Sequence, residues 1–215
     1  MGSKKLIASA LAPAAALHRR FGEPTRRLWA YARLRAHLGA NTGAYPSDVD
    51  ESVVVMGMPE IRGTGNIRLG KNLYLYRELY WETQQQGAIQ VGDGVVMSRG
   101  VHIVSFSAIT IGDGAMIGEY SSIRDANHRF GDGQSVRESG HDSSPISIGK
   151  NAWVSRGVTI LPGVSIGDHA IVGANAVVTK DVADGEIVAG IPAKPMGSTF
   201  TNSVPFTAGR KLREL

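Results

Sequence analysis

The sequence predicts an all-β protein, a parallel β-helix of six-residue repeats preceded by a short helical segment. Three observations support this prediction: an aliphatic residue recurs every six positions, corners that carry Gly with Asp or Asn separate the repeats, and aromatic residues are few. The 215 residues include 27 Gly but only 5 Phe and 3 Trp. Small and β-branched side chains must therefore fill the interior, which favours a thin and regular core.

The repeat runs through the central and C-terminal parts of the chain. Twelve aliphatic residues recur in sets with a spacing of six: Val91, Met97, Ile103, Ile111, Ile117, Ile123, Ile148, Val154, Ile160, Ile166, Val172 and Val178. A looser set, Leu69, Leu75 and Trp81, precedes them and leaves the start of the array open. A six-residue unit is too short for a helix pair or a hairpin, but it suits one short strand and a tight corner.

Three such units form one triangular turn of a prism. Turns stacked about 4.8 Å apart pair each strand with its counterpart in the next turn, so that backbone groups are satisfied in parallel ladders. The corners carry residues that tight turns favour, as in Gly92-Asp93-Gly94 and Gly112-Asp113-Gly114. The chain therefore divides into an N-terminal segment (1–50), a β-helix domain (51–197) and a tail (198–215).

Charge is unevenly distributed along the chain. Residues 1–38 hold eight Lys or Arg against Glu23 alone, a charge of +7, which leaves −3 for the rest of a chain with a net charge of +4. No basic stripe runs through the repeats, so we expect no nucleic-acid partner. The chain has no cysteine, and no apolar run reaches the roughly 18 residues of a membrane span. The apolar stretch 6–17 is interrupted by Pro13 and followed by basic residues, so we expect a cytoplasmic protein.

Residues 24–38 predict a helix, because Pro24 suits its first turn and Gly39 can end it. One broad face of this helix combines Leu28, Tyr31, Ala32 and Arg35. The end of a β-helix exposes unpaired strand edges and an apolar interior. We therefore expect the N-terminal segment to cap the prism or to pack on a neighbouring subunit. The competing interpretation is a peripheral membrane contact through the basic charges with Trp29 and Tyr31.

The repeats and the segment that closes them resemble the hexapeptide-repeat acyltransferases. The likeness covers 89–197 and is densest in PISIGKNAWVSRGVTILPGVSIGDHAIVGANAVVTKDVADGEIVAGIPAKP, from Pro145 to Pro195. The branch it matches contains maltose and galactoside O-acetyltransferases and O-antigen and capsule acetyltransferases. The resemblance implies a left-handed β-helix, against the usual right-handed rule for parallel crossovers. It also implies a homotrimer that needs no metal and transfers an acyl group, expected to be acetyl, from CoA to a hydroxyl or amine of a sugar or polysaccharide precursor.

The largest break in the period falls between Ile123 and Ile148, where a polar loop (124–145) is inserted. Insertions in a solenoid map to loops on one face, often the binding face. An alcohol must lose its proton as it attacks a thioester, and imidazole has a pKa suited to accept it. The resemblance aligns His128 with the general base of the family. His141, in the same loop, is the rival base, at a position where the family has no fixed histidine.

Further candidate residues surround this base or follow from the same alignment. Asp125 and Asn127 flank His128 and either orient it or bind substrate, or else they are turn residues. For acetyl-CoA, the resemblance implies contacts at Trp153, Arg156, Ala174, Thr179, Lys180 and Lys194. Trp153 has an alternative explanation, as a side chain packed under the loop or at a trimer contact.

One departure from the family concerns the acceptor. Ser98 and Gly100 stand where maltose and galactoside acetyltransferases carry two Asn residues, so their sugar contacts do not carry over. The loop sequence IRDANH is closer to the O-antigen and capsule branch. We therefore expect a nucleotide-linked, lipid-linked or polymeric sugar and not a free disaccharide.

Two alternative functions use a similar prism. A γ-type carbonic anhydrase needs three imidazoles around zinc, and His128 and His141 are predicted to lie too far apart for the two close histidines of that class. A non-catalytic β-helix, such as a structural polymer or an ice-binding prism, needs no long loop and would present flat Thr-rich faces. Thr110 and Thr159 do not form such a face. CoA-dependent acyl transfer is therefore the predicted function.

Overall fold

The computed structural model describes residues 22–40, 48–131, 133 and 135–200. This part of the chain contains one helix, α1 (22–39), and many short strands. In chain order the strands are β1 (Val54–Val55), β2 (Glu60–Gly63), β3 (Ile67–Leu69), β4 (Tyr74–Leu75), β5 (Tyr80–Thr83), β6 (Ala88–Val91), β7 (Val96–Met97), β8 (His102–Ser105), β9 (Ala108–Ile111), β10 (Met116–Ile117), β11 (Ser122–Arg124), β12 (Ala126–His128), β13 (His141–Ser143), β14 (Ile146–Ile148), β15 (Trp153–Val154), β16 (Thr159–Ile160), β17 (Ser165–Ile166), β18 (Ile171–Val172), β19 (Val177–Val178), β20 (Glu186–Ala189) and β21 (Lys194–Ser198). Residues 1–21 of the predicted N-terminal segment and residues 201–215 of the predicted tail lie outside the described residues.

The strands stack into three sheets that form the faces of a prism. Sheet A has the order β1-β4-β7-β10-β15-β18-β20-β21, sheet B has β19-β16-β11-β8-β5-β2, and sheet C has β17-β14-β9-β6-β3. Neighbouring strands in each sheet are parallel, except that β21 pairs antiparallel with β20 at one end of sheet A. The chain visits the three sheets in turn, so the predicted parallel β-helix is confirmed.

The coils of this helix differ in length. On sheet A, Leu75 and Met97 occupy the same inward position in successive coils and are 22 residues apart, whereas Val154 and Val172 are 18 apart. The early coils place their extra residues at the corner between sheets B and C, where β2, β5 and β8 each span four residues. The looser early repeat is therefore part of the same prism, which begins at β1.

Aspartates at the corner between sheets C and A link one coil to the next. Asp93 Oδ1 accepts a hydrogen bond from the backbone N–H of Lys71 (2.7 Å), and Asp113 Oδ1 accepts one from the N–H of Asp93 (3.0 Å). Asp168 forms the same bond with a preceding coil. A Cβ on Gly92 would lie 2.4 Å from Asp113 Oδ1, so only glycine fits there. This close approach explains the Gly-Asp pairs of the repeat.

Helix α1 packs on the first coil of the prism. Ala30, Leu34 and Leu38 belong to the same apolar core as Val53 and are 7%, 0% and 1% exposed. These residues are four apart and so share one stripe of the helix. The face predicted from the sequence includes Leu28, which is 67% exposed, so it differs from the buried stripe. Burial of the stripe stabilises the contact between α1 and the end of the prism.

Polar contacts fix α1 at its N-terminus and at its middle. Both carboxylate oxygens of Glu23 accept hydrogen bonds from Arg77 Nη2, at 2.7 and 2.8 Å. In the middle of the helix, the Tyr31 hydroxyl donates to the carbonyl oxygen of Val49 (2.9 Å). Among the described residues, no helix combines the length and the apolar character that a membrane span requires.

Candidate active site

The inserted loop contains a two-stranded antiparallel ribbon. β12 pairs with β13, and His128 lies directly opposite His141. The centroids of the two imidazole rings are 4.1 Å apart, and the ring planes are inclined by 40°. The prediction that these histidines lie too far apart was therefore wrong, because antiparallel pairing brings the two ends of the loop together. Within the described residues, no group of three His, Asp or Glu side chains is arranged to hold a metal ion.

His141 lies between His128 and a phenylalanine. Its ring centroid is 4.4 Å from that of Phe106, which follows β8 at the corner between sheets B and C. His141 is half-buried, whereas His128 is exposed. Burial, and then the positive charges of His128 and Arg124, hold the pKa of His141 below its usual range. The stack of Phe106, His141 and His128 therefore presents His128 to solvent, and the surroundings of His141 disfavour its protonation.

Asp125 holds the turn that carries Phe106. Its carboxylate is fully buried. Oδ1 accepts a hydrogen bond from the N–H of Phe106 (2.7 Å), and Oδ2 accepts bonds from the N–H of Ser107 (2.9 Å) and the hydroxyl of Ser105 (2.8 Å). None of these bonds goes to His128. The structure therefore favours the turn role of Asp125 over a direct contact with the candidate base.

The remaining polar residues of the ribbon are exposed. Asn127 lies next to His128 on β12 and opposite Asp142 on β13. Beyond the end of β12, Arg129 Nε donates to Asp142 Oδ1 at 2.6 Å. This ion pair connects the two strands beside the histidine pair. Successive side chains of a strand point to opposite faces, so Asn127 lies on the other face of the ribbon from His128.

The outer face of sheet B beside the ribbon carries polar and aromatic side chains. Tyr80 and His102 are neighbours in register, and their rings stack with centroids 4.4 Å apart and planes 5° from parallel. The Tyr80 hydroxyl donates to Glu82 Oε2 (2.6 Å), and Gln84 Nε2 donates to Glu82 Oε1 (2.9 Å). These two hydrogen bonds, and then the charge of Arg124, lower the pKa of Glu82. Burial, and then Arg124, lower the pKa of His102.

Sequence reasoning missed the functional potential of Tyr80, Phe106 and Arg124. Tyr80 and Arg124 are outward positions beside the inward Trp81 and Ile123, where a soluble repeat tolerates many residue types. Their outward position was readable from the repeat. The proximity of Arg124 to the ribbon depends on the fold of the inserted loop, which no periodicity describes.

The candidate donor-binding residues lie in the short coils after the loop. Trp153 is 49% exposed on the outer face of sheet A, between Met116 and Ile171 of the neighbouring strands. Arg156 and Ala174 occupy the corner between sheets A and B in successive coils, where the carbonyl oxygen of Arg156 accepts a hydrogen bond from the residue after Ala174 (2.8 Å). The structure therefore brings Arg156 and Ala174 together.

The other three donor candidates lie after β19 and on the closing strand β21. Thr179 and Lys180 follow β19, at the corner between sheets B and C, and Lys194 begins β21 opposite Ala189. Thr179, Lys180 and Lys194 are exposed, and neither lysine forms an ion pair with any residue that the structure describes. Both ammonium groups are therefore available to a ligand.

The corner that departs from the family is occupied by an aromatic ring. Gly100 has a φ of +72°, and a Cβ on it would lie 2.4 Å from Cδ1 of Tyr120 in the next coil. The Arg156 guanidinium carbon lies 5.8 Å from the centroid of the Tyr120 ring on its other side along the prism. Tyr120 therefore fills the space that an Asn at position 100 would need, which gives the departure a steric reason.

Comparison with known proteins supports the resemblance to the hexapeptide-repeat acyltransferases. Residues 145–180 match the family model "Bacterial transferase hexapeptide (six repeats)". A putative lipopolysaccharide biosynthesis O-acetyl transferase of Escherichia coli is 34% identical over 142 residues, which cover 62% of this chain and 72% of that protein. Nodulation protein L of Rhizobium meliloti is 43% identical over 110 residues, 51% of this chain and 59% of that protein.

A solved structure shares the fold at lower identity. A variant of AntD, an N-acyltransferase from Bacillus cereus, in complex with dTDP-4-amino-4,6-dideoxyglucose and coenzyme A, superposes with a TM-score of 0.62 at 19% identity. The match covers 72% of this chain and 84% of that one. By the identity and coverage of its Escherichia coli relative, the chain belongs to the hexapeptide-repeat acyltransferase family.

Proposed function

We propose that the protein transfers an acetyl group from CoA to a hydroxyl or amine of a sugar or polysaccharide precursor, with His128 as the general base. The observation that carries the proposal is the exposed imidazole of His128, held by ring contacts on a ribbon that interrupts the repeat. The relatives support the same chemistry, since they include a putative lipopolysaccharide biosynthesis O-acetyl transferase and an N-acyltransferase in complex with coenzyme A and a sugar nucleotide.

His128 performs the proton transfer of this reaction. Its neutral ring accepts the O–H or N–H proton of the acceptor as the acceptor's oxygen or nitrogen attacks the thioester carbonyl carbon. The C–S bond breaks, and the departing sulfur takes up the proton from the imidazolium. His141 and Phe106 support the ring of His128 from one side, so that its other side faces the acceptor. Asp125 acts on this arrangement by holding the turn of Phe106.

The donor binds along the short coils in this proposal. Lys180 and Lys194 supply charge for the phosphates of CoA, since both are exposed and have no acidic partner among the described residues. Trp153, Arg156, Ala174 and Thr179 contact the rest of the donor. No metal ion takes part in the proposed steps.

A homotrimer is part of the proposal. His128 lies at the junction of sheets B and C, whereas Trp153 lies on sheet A of the same chain. On the outer face of sheet A, apolar side chains of adjacent strands form an exposed row, which includes Tyr74 (47% exposed), Met116 (50%) and Trp153 (49%). A neighbouring subunit packed on this row would bury it and bring a donor site to His128. Light scattering should give three times the chain mass, and a monomeric mass across working concentrations contradicts the trimer.

The decisive experiment is an acceptor screen. Purified protein is incubated with acetyl-CoA and a panel of free, nucleotide-linked and lipid-linked sugars, and the released thiol is measured. We expect release that depends on the acceptor and is lost in His128→Ala. Acetyl-CoA that neither binds nor turns over with any acceptor contradicts the proposed function.

A cytoplasmic location and a peripheral membrane contact complete the proposal. Leu28 and Trp29 are 67% and 70% exposed on the outer side of α1, beside the exposed Arg26, Arg27 and Arg33. Such a mixture of apolar and basic side chains suits an anionic lipid surface. Sedimentation with phosphatidylglycerol vesicles should be lost in a variant with Leu28→Ser and Trp29→Ser. Equal sedimentation of the wild type with neutral and anionic vesicles contradicts the contact.

A further inference from the structure

The position of Arg124 is central to the surface around the histidine pair. Arg124 is the last residue of β11, and its half-buried side chain lies on the outer face of sheet B. Its Nε donates a hydrogen bond to the carbonyl oxygen of Ala126 (3.2 Å), at the start of the strand that carries His128. The charge of Arg124 acts on His141 and also on Glu82. The guanidinium therefore lies between the ribbon and the stacked rings on sheet B.

Among the described residues, the acidic groups around Arg124 accept hydrogen bonds from other side chains or backbone groups. Both oxygens of the Glu82 carboxylate accept hydrogen bonds, from Tyr80 and from Gln84. The buried carboxylate of Asp125 is satisfied by three donors from residues 105–107. Asp142 is paired with Arg129 at 2.6 Å.

Arg124 itself forms no ion pair with the part of the chain that the structure describes. A guanidinium anchored through Nε keeps its two terminal NH2 groups for a ligand. These groups form the planar fork that matches the two oxygens of a carboxylate or phosphate.

We infer that Arg124 binds an anionic group, a phosphate or a carboxylate, of the acceptor sugar. The inference rests on the proposed function, because it takes the surface beside His128 as the acceptor site. The acceptor class is thus a sugar that bears a phosphate, as in a glycosyl phosphate or its nucleotide or lipid esters, or an acidic sugar that bears a carboxylate. The charge fixes the sugar beside His128, and the stacked rings of Tyr80 and His102 form the adjoining surface. Neutral sugars lack the group that Arg124 recognises.

The test compares three sugars that differ in one group. Galactose, galactose 1-phosphate and galacturonate are titrated into the full-length protein, and binding is followed by the NMR signals of the histidine rings. Both variants are titrated in the same way: Arg124→Gln, and Arg62→Gln as the matched control. Arg62 faces outward on the same sheet, in register with Glu82, and is paired with Glu60 at 2.8 Å.

We expect the wild type to bind at least one of the anionic sugars about tenfold or more tightly than galactose, which corresponds to about 1.4 kcal/mol. Arg124→Gln should remove this preference, and Arg62→Gln should keep it. A preference for galactose 1-phosphate assigns the site to phosphate, and a preference for galacturonate assigns it to a carboxylate.

Two outcomes overturn the inference. One is a wild type that binds neither anionic sugar, or binds them no more tightly than galactose. The other is an Arg124→Gln variant that keeps the preference. Both measurements are made without acetyl-CoA, so a failure of the anion site is distinguished from a failure of acyl transfer, which the thiol-release screen measures.

Discussion

The coils before the loop and those after it use the same prism differently. In the later coils the strands of sheet B are two residues long and lead directly into the next corner. In the earlier coils the strands of sheet B are longer, and their inward column ends in the buried polar residues Thr83 and Ser105, followed by Asp125. The regular coils thus present the same kind of outer surface in every turn. In the irregular coils the extra corner residues carry buried polar groups, which need hydrogen-bond partners, and the corner therefore has a surface of its own.

This difference separates the two halves of the proposed reaction. The candidates for the donor lie on the regular coils and, for Lys194, on the antiparallel strand that closes them. The candidate base, its supporting rings and Arg124 lie at the irregular corner and the ribbon. Substitutions in the two regions should therefore have different signatures. Those at the irregular corner should change turnover or stability, and those on the regular coils should change donor affinity.

The largest effect is expected for His128→Ala. General-base catalysis by a positioned side chain contributes about 10²–10⁴-fold, so turnover should fall by about that factor while acetyl-CoA affinity and the oligomer persist. Wild-type activity should also rise with pH, because only a neutral imidazole accepts the acceptor's proton. Initial rates of thiol release, with the acceptor found in the screen, measure both effects.

His141 provides the control for this experiment. His141→Phe keeps a ring between Phe106 and His128 and should retain most of the turnover, whereas His141→Ala should lose more of it, though far less than His128→Ala. A His128→Ala variant with activity close to wild type, together with an inactive His141→Phe variant, would assign the base to His141.

A large effect on stability is expected for Asp125→Ala. The substitution leaves the N–H groups of Phe106 and Ser107 without their carboxylate acceptor. The hydroxyl of Ser105 can still donate to the carbonyl oxygen of Ala88, which lies 3.1 Å away. Each such group costs about 1–3 kcal/mol, so the free energy of unfolding in urea should fall by about 2–4 kcal/mol, allowing for partial relaxation. Asp181→Ala is the comparison in the regular coils.

Asp181 is exposed and accepts one hydrogen bond, from the N–H of Ser165 at 2.8 Å. Its removal should have a smaller effect on stability than that of Asp125, because water can replace the lost acceptor. Equal losses of stability in the two variants would contradict the proposed contrast between the two regions.

A moderate effect is expected for Lys180→Ala and Lys194→Ala. These residues contact a part of the donor that does not react, so they should bind it alike in the ground and transition states. The Michaelis constant for acetyl-CoA should therefore rise by more than turnover falls, by about tenfold for a lost charged contact. If neither variant changes the affinity for acetyl-CoA, these two lysines do not belong to the donor site.

The smallest effect concerns the pH dependence of stability. Burial, the charge of His128 and that of Arg124 lower the pKa of His141, so the unfolded chain binds its proton more readily than the folded one. The free energy of unfolding should therefore decrease as the pH falls below the usual histidine pKa of about 6.5. His128→Phe removes one positive charge while it keeps a ring, so NMR should show a higher pKa for His141 that is still below the usual value. An unchanged pKa in this variant would show that His128 does not act on His141.

The sequence was most informative where the structure is most regular. The spacing of Val154, Ile160, Ile166 and Val172 predicted strands and their inward faces, because a side chain in a stacked coil has the same environment in every turn. The helix was predicted nearly to its ends from Pro24 and Gly39, but its buried face depends on how it docks on the first coil.

The sequence by itself determined the parallel β-helix, the family and the position of the inserted loop, since these follow from local periodicity and from motifs close together in the chain. Tertiary structure decided what lies inside the loop. The contact between His128 and His141, the support of their stack by Phe106 and the engagement of Asp125 with residues 105–107 join segments up to 35 residues apart in sequence. The physical reason is that such contacts depend on the register of the ribbon and the width of one corner, and neither leaves a repeat in the sequence.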